Sequence, residues 1–369
     1  MDNKNRVLHI VWSGRAGGAE RFVCDIGSHA DTTRFEHIVC FLSQGGSFAA
    51  AMEKKGVKTY CLDMKTGFSI ARGVRIRGLI KRIAPHIIQS HCRNYVANTV
   101  ITTLSAPKKV YFEHGSDLIA QNQNREIRFY NRLGRHYDLI IANSHYTRDR
   151  ILELTGVDAR KVIVFYIGID HELYHHTRRD DTLRQQLGFT NKDTVIGTIG
   201  RLVEQKGIDD FITVAAELAK LRRSCRFVVV GEGHKRAELE RMADAHHIDV
   251  MFLGARLDIP SIISTFDLFL FTPKWEPFGI VVLEAMASSV PVVGYSVPGM
   301  KEIIDRGGGV LAKKRDPQIL ARTVMRILTN RAQYANLQRA GLKNVRANFN
   351  IRKRIKELEA LYSKLLSTT

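Results

Sequence analysis

The chain has 369 residues, enough for two α/β domains, and its apolar content of 44% and charged content of 25% are typical of a globular protein. Its formal net charge of +19 attracts polyanions such as nucleic acid, anionic membranes or phosphorylated ligands. No apolar stretch is long enough to cross a bilayer, and the segment before the first predicted strand is too short for a signal peptide. These features predict a cytoplasmic globular protein.

The cysteines indicate a reducing compartment. All five lie singly inside apolar segments, and no C-x-x-C pair occurs; they are Cys24, Cys40, Cys61, Cys92 and Cys225. We therefore expect buried, reduced thiols, with neither disulfides nor a zinc site.

Short apolar strands alternate with helical patterns along the chain, which is typical of parallel βαβ units. The first set of strands is predicted at 7–12, 37–42, 57–62, 86–90, 109–112, 139–142 and 162–165, and the second at 194–199, 226–230, 250–253, 268–271, 291–294 and 309–311. The polar segment 168–177 is the expected linker, and a last amphipathic helix is predicted over 351–366. Two doubly wound, Rossmann-like domains are therefore expected, with a ligand crevice at the carboxyl ends of their strands.

The stretch 267–287 is the most informative part of the sequence. A buried strand leads into a loop that holds Glu276, and a helix is expected to begin near Phe278 and Gly279. The first-turn amides of a helix attract anions. A second acid, Glu284, lies inside the apolar helix, where a carboxylate needs a partner. Together these parts suit a phosphate that carries a polyhydroxylated group on each side, whereas the simpler alternative is a capping acid and an acid at the edge of the core.

Other candidate groups also follow predicted strands. Arg201 and Lys206 lie five positions apart in one loop, where they could neutralise a diphosphate, unless this loop is an ordinary solvated turn. Gly231 lies in a strand-to-turn sequence that allows close backbone approach, which is a weak signal alone. His114 ends an apolar strand and could position or polarise a reacting hydroxyl.

The first glycine loop, which contains Gly17 and Gly18, could contact a phosphate or an acceptor at the start of a helix. It is not G-x-G-x-x-G, and no acid occupies a clear ribose position about 20 residues further on, so a nicotinamide cofactor is disfavoured.

Two basic segments predict contact with an anionic membrane surface. The segment 65–82 carries Arg72, Arg75, Arg77 and Lys81 without any acid. A second segment places basic side chains on one predicted helix face, beside Phe129 and Tyr130; these are Arg125, Arg128, Arg132 and Arg135. Basic amphipathic faces of this kind suit anionic membranes, and Phe129 and Tyr130 could enter the membrane interface, although a merely solvated face remains the alternative.

Taken together, the motifs resemble those of the retaining glycosyltransferases with the GT-B fold, the family often called family 4. The resemblance covers essentially the whole chain and includes Gly17-Gly18, Glu113-His114-Gly115, Gly200-Arg201 with Lys206-Gly207, Gly231-Glu-Gly233 and, above all, the E-x7-E motif from Glu276 to Glu284.

This resemblance implies a role for each candidate residue. Arg201 and Lys206 would bind the donor diphosphate with help from the amides of Phe278, Gly279 and Ile280. Glu284 would bind the ribose, Glu276 the sugar near its reacting carbon, and His114 would approach the sugar from the first domain. The last helix would cross back to that domain, giving domains of 1–172 with 351–369, and of 173–350.

The predicted activity is transfer of a sugar from a nucleotide-diphosphate donor, of UDP or GDP type, to a hydroxyl of a glycan or lipid-linked acceptor in cell-surface polysaccharide or lipopolysaccharide biosynthesis. The sequence lacks an obvious D-x-D site, so neither a metal nor a cofactor is expected, and the enzyme would work on the inner face of the cell membrane. A nucleotide-sugar 2-epimerase of the same fold is the first alternative. A nucleic-acid-binding protein is the second, although no recognition module for nucleic acid is present.

Overall fold

The computed structural model describes residues 4–14, 17–65, 69–115, 124–175 and 181–368, without the side chains at 125, 126 and 175. The chain divides into two compact units, which we call unit 1 and unit 2. Unit 1 contains Met1–Gly168 and Ile351–Thr369, and unit 2 contains Ile169–Asn350. The division falls inside the segment that was expected to be the linker.

Unit 1 is built on a parallel sheet with the strand order β3-β2-β1-β4-β5-β6-β7 among the described residues. The strands are β1 (Asn5–Val11), β2 (Phe35–Phe41), β3 (Lys58–Cys61), β4 (Ile87–Ser90), β5 (Lys108–Glu113), β6 (Leu139–Ala142) and β7 (Val162–Val164). The order reverses between β1 and β4, and in doubly wound folds ligands bind outside the carboxyl ends of the strands at such a point.

Helices cover this sheet because each one buries an apolar stripe against it. They are α1 (Gly18–His29), α2 (Gly46–Lys54), α3 (Ile70–Ile83), α4 (Tyr95–Thr102), α5 (Asn124–Leu133) and α6 (His145–Leu154). α1 packs against α2, whereas α3 packs beside α4 and α4 beside α5.

Unit 2 has a second parallel sheet, with the order β10-β9-β8-β11-β12-β13 in the described part of the chain. Its strands are β8 (Thr194–Ile199), β9 (Cys225–Val230), β10 (Val250–Phe252), β11 (Leu268–Phe271), β12 (Val292–Tyr295) and β13 (Gly309–Ala312). Its helices are α7 (Glu172–His175), α8 (Asp181–Gln186), α9 (Ile208–Leu221), α10 (Arg236–Ala245), α11 (Ile259–Ser264), α12 (Ile280–Ala287), α13 (Pro298–Ile304), α14 (Pro317–Thr329) and α15 (Arg331–Asn348).

The last helix, α16 (Ile351–Ser367), belongs to unit 1 although it follows all of unit 2 in the chain. It packs against α1. Ile351, Ile355, Leu358 and Tyr362 recur at helical spacing and are all buried. The expected return of the last helix to the first domain is confirmed.

Every predicted strand is present within two residues of its expected bounds, and three of them have those bounds unchanged. The cysteines are free, as expected, but the expectation that all five are buried is wrong, because Cys61 is exposed at the end of the edge strand β3. In the part of the chain that the structure describes, no helix is both long and apolar enough to span a membrane.

Candidate active site

Lys206 and Glu276 meet in unit 2, although 70 residues separate them in the chain. Lys206 follows β8 and Glu276 follows β11, and these strands are neighbours in the sheet, so their carboxyl-end loops lie side by side. Lys206 Nζ donates a hydrogen bond to Glu276 Oε2 at 2.5 Å, and both side chains are largely buried. The ring of Phe271 lies 5.7 Å from the ammonium nitrogen. The two strongest sequence motifs therefore form one ion pair.

Arg201 lies at the exposed start of the same loop, and its guanidinium donates a hydrogen bond to Gln205 Oε1 at 3.3 Å. The loop ends at Gly207, which has a φ of 58°. A Cβ there would lie 2.0 Å from the carbonyl oxygen of Thr272, so only glycine permits this approach. The Thr272 hydroxyl also donates to the Gly207 carbonyl at 2.8 Å. The loop that carries both predicted diphosphate ligands is thus fixed against the loop of Glu276.

Further charges hold these loops together and were not predicted from the sequence. Lys274 pairs with Glu204 and with Asp209, the latter at 2.9 Å. Arg315 pairs with Asp210 and donates to the Thr272 carbonyl at 3.2 Å. Burial lowers the pKa of Lys274, with a smaller contribution from the nearby Arg315. These cations already have acidic partners on the loop that follows β8 or on the start of α9.

The helix of the E-x7-E motif begins later than predicted. α12 starts at Ile280 and is preceded by Gly279, which has a φ of 96°. The predicted start near Phe278 and Gly279 is correct to within two residues, but the left-handed backbone at Gly279 separates Phe278 from the helix. Phe278 is instead buried, with its ring 6.0 Å from that of Phe349. Of the three predicted amides, only that of Ile280 belongs to the first helical turn.

Glu284 lies in the middle of α12, and the residue is buried, with 8% of its surface exposed. Its Oε1 accepts a hydrogen bond from the hydroxyl of Tyr174 at 2.6 Å. Tyr174 lies on α7, inside the segment that was expected to be an irregular linker, and it is buried. A single tyrosine in a polar segment gives no sequence signal for such a contact, so this partner was missed.

Gly231 has a packing role in unit 2. It has a φ of 135°, and a Cβ there would lie 2.0 Å from the carbonyl oxygen of Gly200. The Gly231 turn thereby presses against the start of the Arg201 loop, and the amide of Leu202 donates to the Glu232 carbonyl at 2.9 Å. Close backbone approach, predicted from the glycine, occurs here between two loops of the protein.

In unit 1, His114 directly follows β5 and is partly buried. Burial and, to a smaller extent, the neighbouring Arg93 lower its pKa to about 3, so the ring is neutral at physiological pH. The preceding Glu113 accepts hydrogen bonds from the amide of Gly115 and from the Tyr130 hydroxyl, both at 2.6 Å. Glu113 therefore fixes the turn that holds His114.

The first glycine loop lies at the start of α1. Gly17 is extended, with a φ of −163°, Gly18 begins the helix, and both are exposed. The loop residues Arg15 and Ala16 lie outside the described part of the chain. The expected position of this glycine pair at a helix start is confirmed.

The second basic segment differs from its prediction. Arg128 and Arg132 are exposed on α5, whereas Arg135 is exposed on the short 3₁₀ turn that follows it, and the side chain of Arg125 lies outside the described residues. The expectation that Phe129 and Tyr130 could enter a membrane is wrong, because both are buried in the core of unit 1 and lie 1% and 0% exposed. The Phe129 ring packs against the rings of Tyr95, Tyr111 and Tyr130.

Comparisons with known proteins agree with this architecture. The family model for glycosyl transferases group 1 matches residues 179–344, and that for glycosyltransferase family 4 matches residues 16–173. Among solved structures, Anabaena HepE in complex with UDP and glucose has a TM-score of 0.84 at 24% identity, covering 97% of this chain and 99% of that one. WaaG, a glycosyltransferase of lipopolysaccharide biosynthesis, has a TM-score of 0.77 at 16% identity, covering 98% and 100%.

Curated relatives align with this chain over a smaller part of their length than the solved structures do. The alpha-D-kanosaminyltransferase of Streptomyces kanamyceticus is 28% identical over 68% of this chain and 63% of its own length. The lipopolysaccharide core mannosyltransferase LpsB of Rhizobium meliloti is 27% identical over 66% of this chain and 71% of its own. Two Rossmann-like units with these relatives define a glycosyltransferase with the GT-B fold. Within that class, the chain belongs to glycosyltransferase family 4.

Proposed function

We propose that this glycosyltransferase is a retaining enzyme that moves a sugar from a UDP- or GDP-type donor to a hydroxyl of a glycan or lipid-linked acceptor. The observation that carries the proposal is the Lys206–Glu276 ion pair. It brings together, in one unit, a cation that can bind a phosphate and a carboxylate that can bind a sugar. The HepE complex with UDP-glucose supports a nucleotide-sugar donor, and LpsB supports a role in lipopolysaccharide or other cell-surface polysaccharide biosynthesis.

In this proposal Arg201 and Lys206 bind the diphosphate, and Glu284 binds the ribose. Lys206 is paired with Glu276 in the structure. The incoming diphosphate offers Lys206 a more highly charged partner, and the carboxylate of Glu276 then becomes available to the sugar. Breaking the glycosyl–phosphate bond places negative charge on the diphosphate and positive charge on the sugar, so each group stabilises the charge that develops beside it.

The two cations also make a metal unnecessary in this scheme. Arg201 offers a planar fork of donors and Lys206 a compact charge, which together can neutralise the leaving diphosphate. We therefore expect transfer to continue in the presence of a chelator such as EDTA. Loss of activity that added Mg²⁺ or Mn²⁺ restores would contradict this part of the proposal.

The experiment that tests the function uses the purified chain and a panel of UDP and GDP sugars. A matching donor should raise the melting temperature and should be hydrolysed slowly without an acceptor. Proton NMR of the released or transferred sugar gives its anomeric configuration, which should equal that of the donor. An inverted anomer would contradict retention, and failure of every donor to bind would contradict the function itself.

The same experiment separates the alternatives. A 2-epimerase would release an epimer of the nucleotide sugar or its sugar without any acceptor, whereas a transferase gives a new glycoside only when an acceptor is present. A nucleic-acid-binding protein would instead bind any duplex with an affinity that falls steeply with salt. In our proposal the positive charge of the protein instead serves to bind the donor diphosphate and an anionic membrane surface.

We assign the membrane contact mainly to α3. Ile70 and Val74 are 77% and 65% exposed, and they lie in one line with the exposed Arg77 and Lys81, at steps of four, three and four residues. The opposite face of α3 is buried in the core. An exposed apolar pair that continues into cations suits the boundary between acyl chains and anionic headgroups. In this proposal the enzyme works at the cytoplasmic face of the cell membrane.

A further inference from the structure

Four histidines form a continuous chain of side chains across the sheet of unit 1. His37 lies on β2 and His9 on β1, whereas His91 and His114 directly follow β4 and β5. Ring nitrogens are 2.8 Å apart between His37 and His9, 3.1 Å between His9 and His91, and 3.1 Å between His91 and His114. Each imidazole is therefore within hydrogen-bond distance of the next.

The strand register explains this chain. His37 is level with Val7, and His9 is level with Gln89, so each histidine lies two residues further along the strand direction than the one before it. Alternate residues of a strand share a face, and all four rings therefore lie on one face of the sheet. The result is a diagonal that runs from the interior to the carboxyl edge, where His114 is located.

The inner end of the diagonal meets a buried carboxylate. Glu359 of α16 places Oε1 3.6 Å from Nε2 of His37, and both side chains are less than 5% exposed. The same oxygen accepts a hydrogen bond from the amide of Asp31 at 2.8 Å. Nε2 of His37 is buried without a hydrogen-bond partner among the described residues. A carboxylate near this nitrogen favours a proton on it, because the alternative places a lone pair towards a negative charge.

We propose that Glu359 determines, through three intervening imidazoles, which ring nitrogen of His114 carries the proton. A neutral imidazole has one N–H and one lone pair. With the proton on Nε2 of His37, its Nδ1 accepts from His9 Nε2, His9 Nδ1 accepts from His91 Nε2, and His91 Nδ1 accepts from His114 Nε2. His114 then presents an unprotonated Nδ1. Every proton in the chain follows from the charge at its inner end.

Gln89 opposes this order in its present orientation. Its amide Nε2 lies 3.1 Å from His91 Nε2, which suits an acceptor at that nitrogen, and its Oε1 accepts from the Tyr362 hydroxyl at 2.7 Å. A half-turn of the amide exchanges its oxygen and nitrogen, and the tyrosine hydroxyl can then accept instead of donate. Gln89 can adapt to either order without a change of charge. An ionised Glu359 cannot, so the carboxylate decides.

The order requires neutral rings, and burial favours the neutral form of His9, His91 and His114. The pKa values of His9 and His91 are lowered well below the ordinary value, and that of His114 is lowered to about 3, mainly by burial. Neighbouring groups make a smaller contribution to each of these shifts: His37 acts on His9, His114 acts on His91, and Arg93 acts on His114. A proton added to His9, His91 or His114 would therefore not remain on that imidazole.

This inference gives Glu359 a positioning role in the reaction, and that role rests on the proposed function. An unprotonated Nδ1 lets His114 accept a hydrogen bond from a hydroxyl of the sugar or of the acceptor. The reversed order would present an N–H there, which donates instead. The tautomer of His114 itself does not depend on any substrate.

The test is therefore made on the full chain without donor, by long-range ¹⁵N–¹H correlation NMR of ¹⁵N-labelled histidines, with the His114→Gln spectrum identifying the His114 signal. Wild type should show His114 protonated at Nε2 by at least about tenfold over Nδ1. Glu359→Gln keeps the shape but removes the charge, and the ratio should fall at least severalfold towards one because Gln89 and Tyr362 accommodate either order. Glu357→Gln, an exposed position on the same helix, should leave the ratio unchanged.

Wild type alone can overturn the inference: a His114 protonated at Nδ1 refutes it whether or not any variant folds. An unchanged ratio in a folded Glu359→Gln protein also refutes it. Once a donor is identified, Glu359→Gln should lower kcat and leave the KM for donor nearly unchanged. A normal tautomer ratio without any transferase activity would instead contradict the proposed function and leave the tautomer control intact.

Discussion

At the scale of single residues, the two predicted diphosphate cations differ in their surroundings. Arg201 is exposed, whereas Lys206 is paired with Glu276. Arg201→Ala and Lys206→Ala should each weaken binding of the bare nucleoside diphosphate and slow transfer, by about 10- to 100-fold if each contact contributes about 1.5–3 kcal/mol. Isothermal titration with UDP and GDP measures the binding. Unchanged nucleotide affinity in both folded variants would contradict the diphosphate role.

Two assays, nucleotide binding and sugar transfer, should distinguish the roles of Glu276 and Glu284. Glu276→Gln should keep its affinity for bare nucleotide and lose most transfer, about 100-fold or more if it stabilises the charge on the sugar. Glu284→Ala should lose nucleotide affinity as well. Parallel titration and rate measurements distinguish these roles, and identical behaviour of the two variants would show that the division is wrong.

Tyr174 supplies a finer test of Glu284. Tyr174→Phe removes only the hydroxyl that donates to Glu284 Oε1, so the carboxylate loses one hydrogen bond inside a buried site. We expect nucleotide affinity to fall severalfold through misplacement of Glu284, with little change in the rate at saturating donor. The control is Tyr334→Phe, because Tyr334 donates to the Asp267 carbonyl elsewhere in unit 2. Equal effects of both variants would indicate general destabilisation.

At the scale of elements, the strands were predictable and the side-chain partners were not. Buried parallel strands are continuous apolar runs, so β6, β8 and β11 could be read directly from the sequence. Position after a strand also placed Lys206 and Glu276 at the same edge of a sheet, but their pairing depends on β8 and β11 being neighbours. Periodicity predicted a basic face on α5, but Phe129 and Tyr130 were assigned to that face and lie on the buried one.

The exposed line on α3 gives a prediction for the element as a whole. Arg77→Glu with Lys81→Glu should weaken sedimentation with anionic vesicles at low salt, since each basic residue near such a surface contributes about 1 kcal/mol. Ile70→Ser with Val74→Ser should weaken the binding that remains at high salt, because apolar contact is not screened. Arg128→Glu with Arg132→Glu, on α5, should also reduce binding at low salt.

The matched control for these changes is Arg322→Glu, an exposed position on α14 of unit 2. It alters the net charge without touching α3 or α5 and should leave vesicle binding nearly unchanged. Wild-type protein that does not bind anionic vesicles at low salt would contradict the membrane proposal and direct the search towards soluble acceptors.

At the scale of the whole molecule, the buried histidines make unit 1 sensitive to acid. His9, His91 and His114 have lowered pKa values in the folded state, so the unfolded chain binds more protons below its ordinary histidine pKa of about 6.5. Above that pH these histidines do not lower the free energy of unfolding. As the pH falls below it, the free energy of unfolding decreases by up to about 1.4 kcal/mol per pH unit for each ring.

Urea unfolding between pH 7.5 and 5 measures this loss one unit at a time. The chain has two tryptophans, Trp12 in unit 1 and Trp275 in unit 2, so Trp275→Phe and Trp12→Phe each leave one reporter. The transition seen by Trp12 should move to lower urea more steeply on acidification than that seen by Trp275. Equal shifts in both units would contradict the assignment to the histidine chain.

The histidine chain also shows where sequence reasoning stops. Fold class, strands and motif positions follow from local patterns, and the family resemblance adds roles for the motif residues. His9, His37, His91 and His114, however, are brought together by strand order and register, which no local pattern encodes. Among the histidines, only His114 had a sequence signal, because it ends a strand within a family motif.

The discontinuity of unit 1 has a consequence for the order of synthesis. α16 supplies Glu359 and Tyr362 to the sheet of unit 1, yet the ribosome makes all of Ile169–Asn350 before it. At roughly 5–20 residues per second, this delay lasts on the order of 10–40 s. Throughout that time the nascent sheet exposes His37, Phe35 and Gln89, which later lie under α16. Unit 2 can therefore complete its fold before unit 1. Chaperones then have most access to unit 1, although it was translated first.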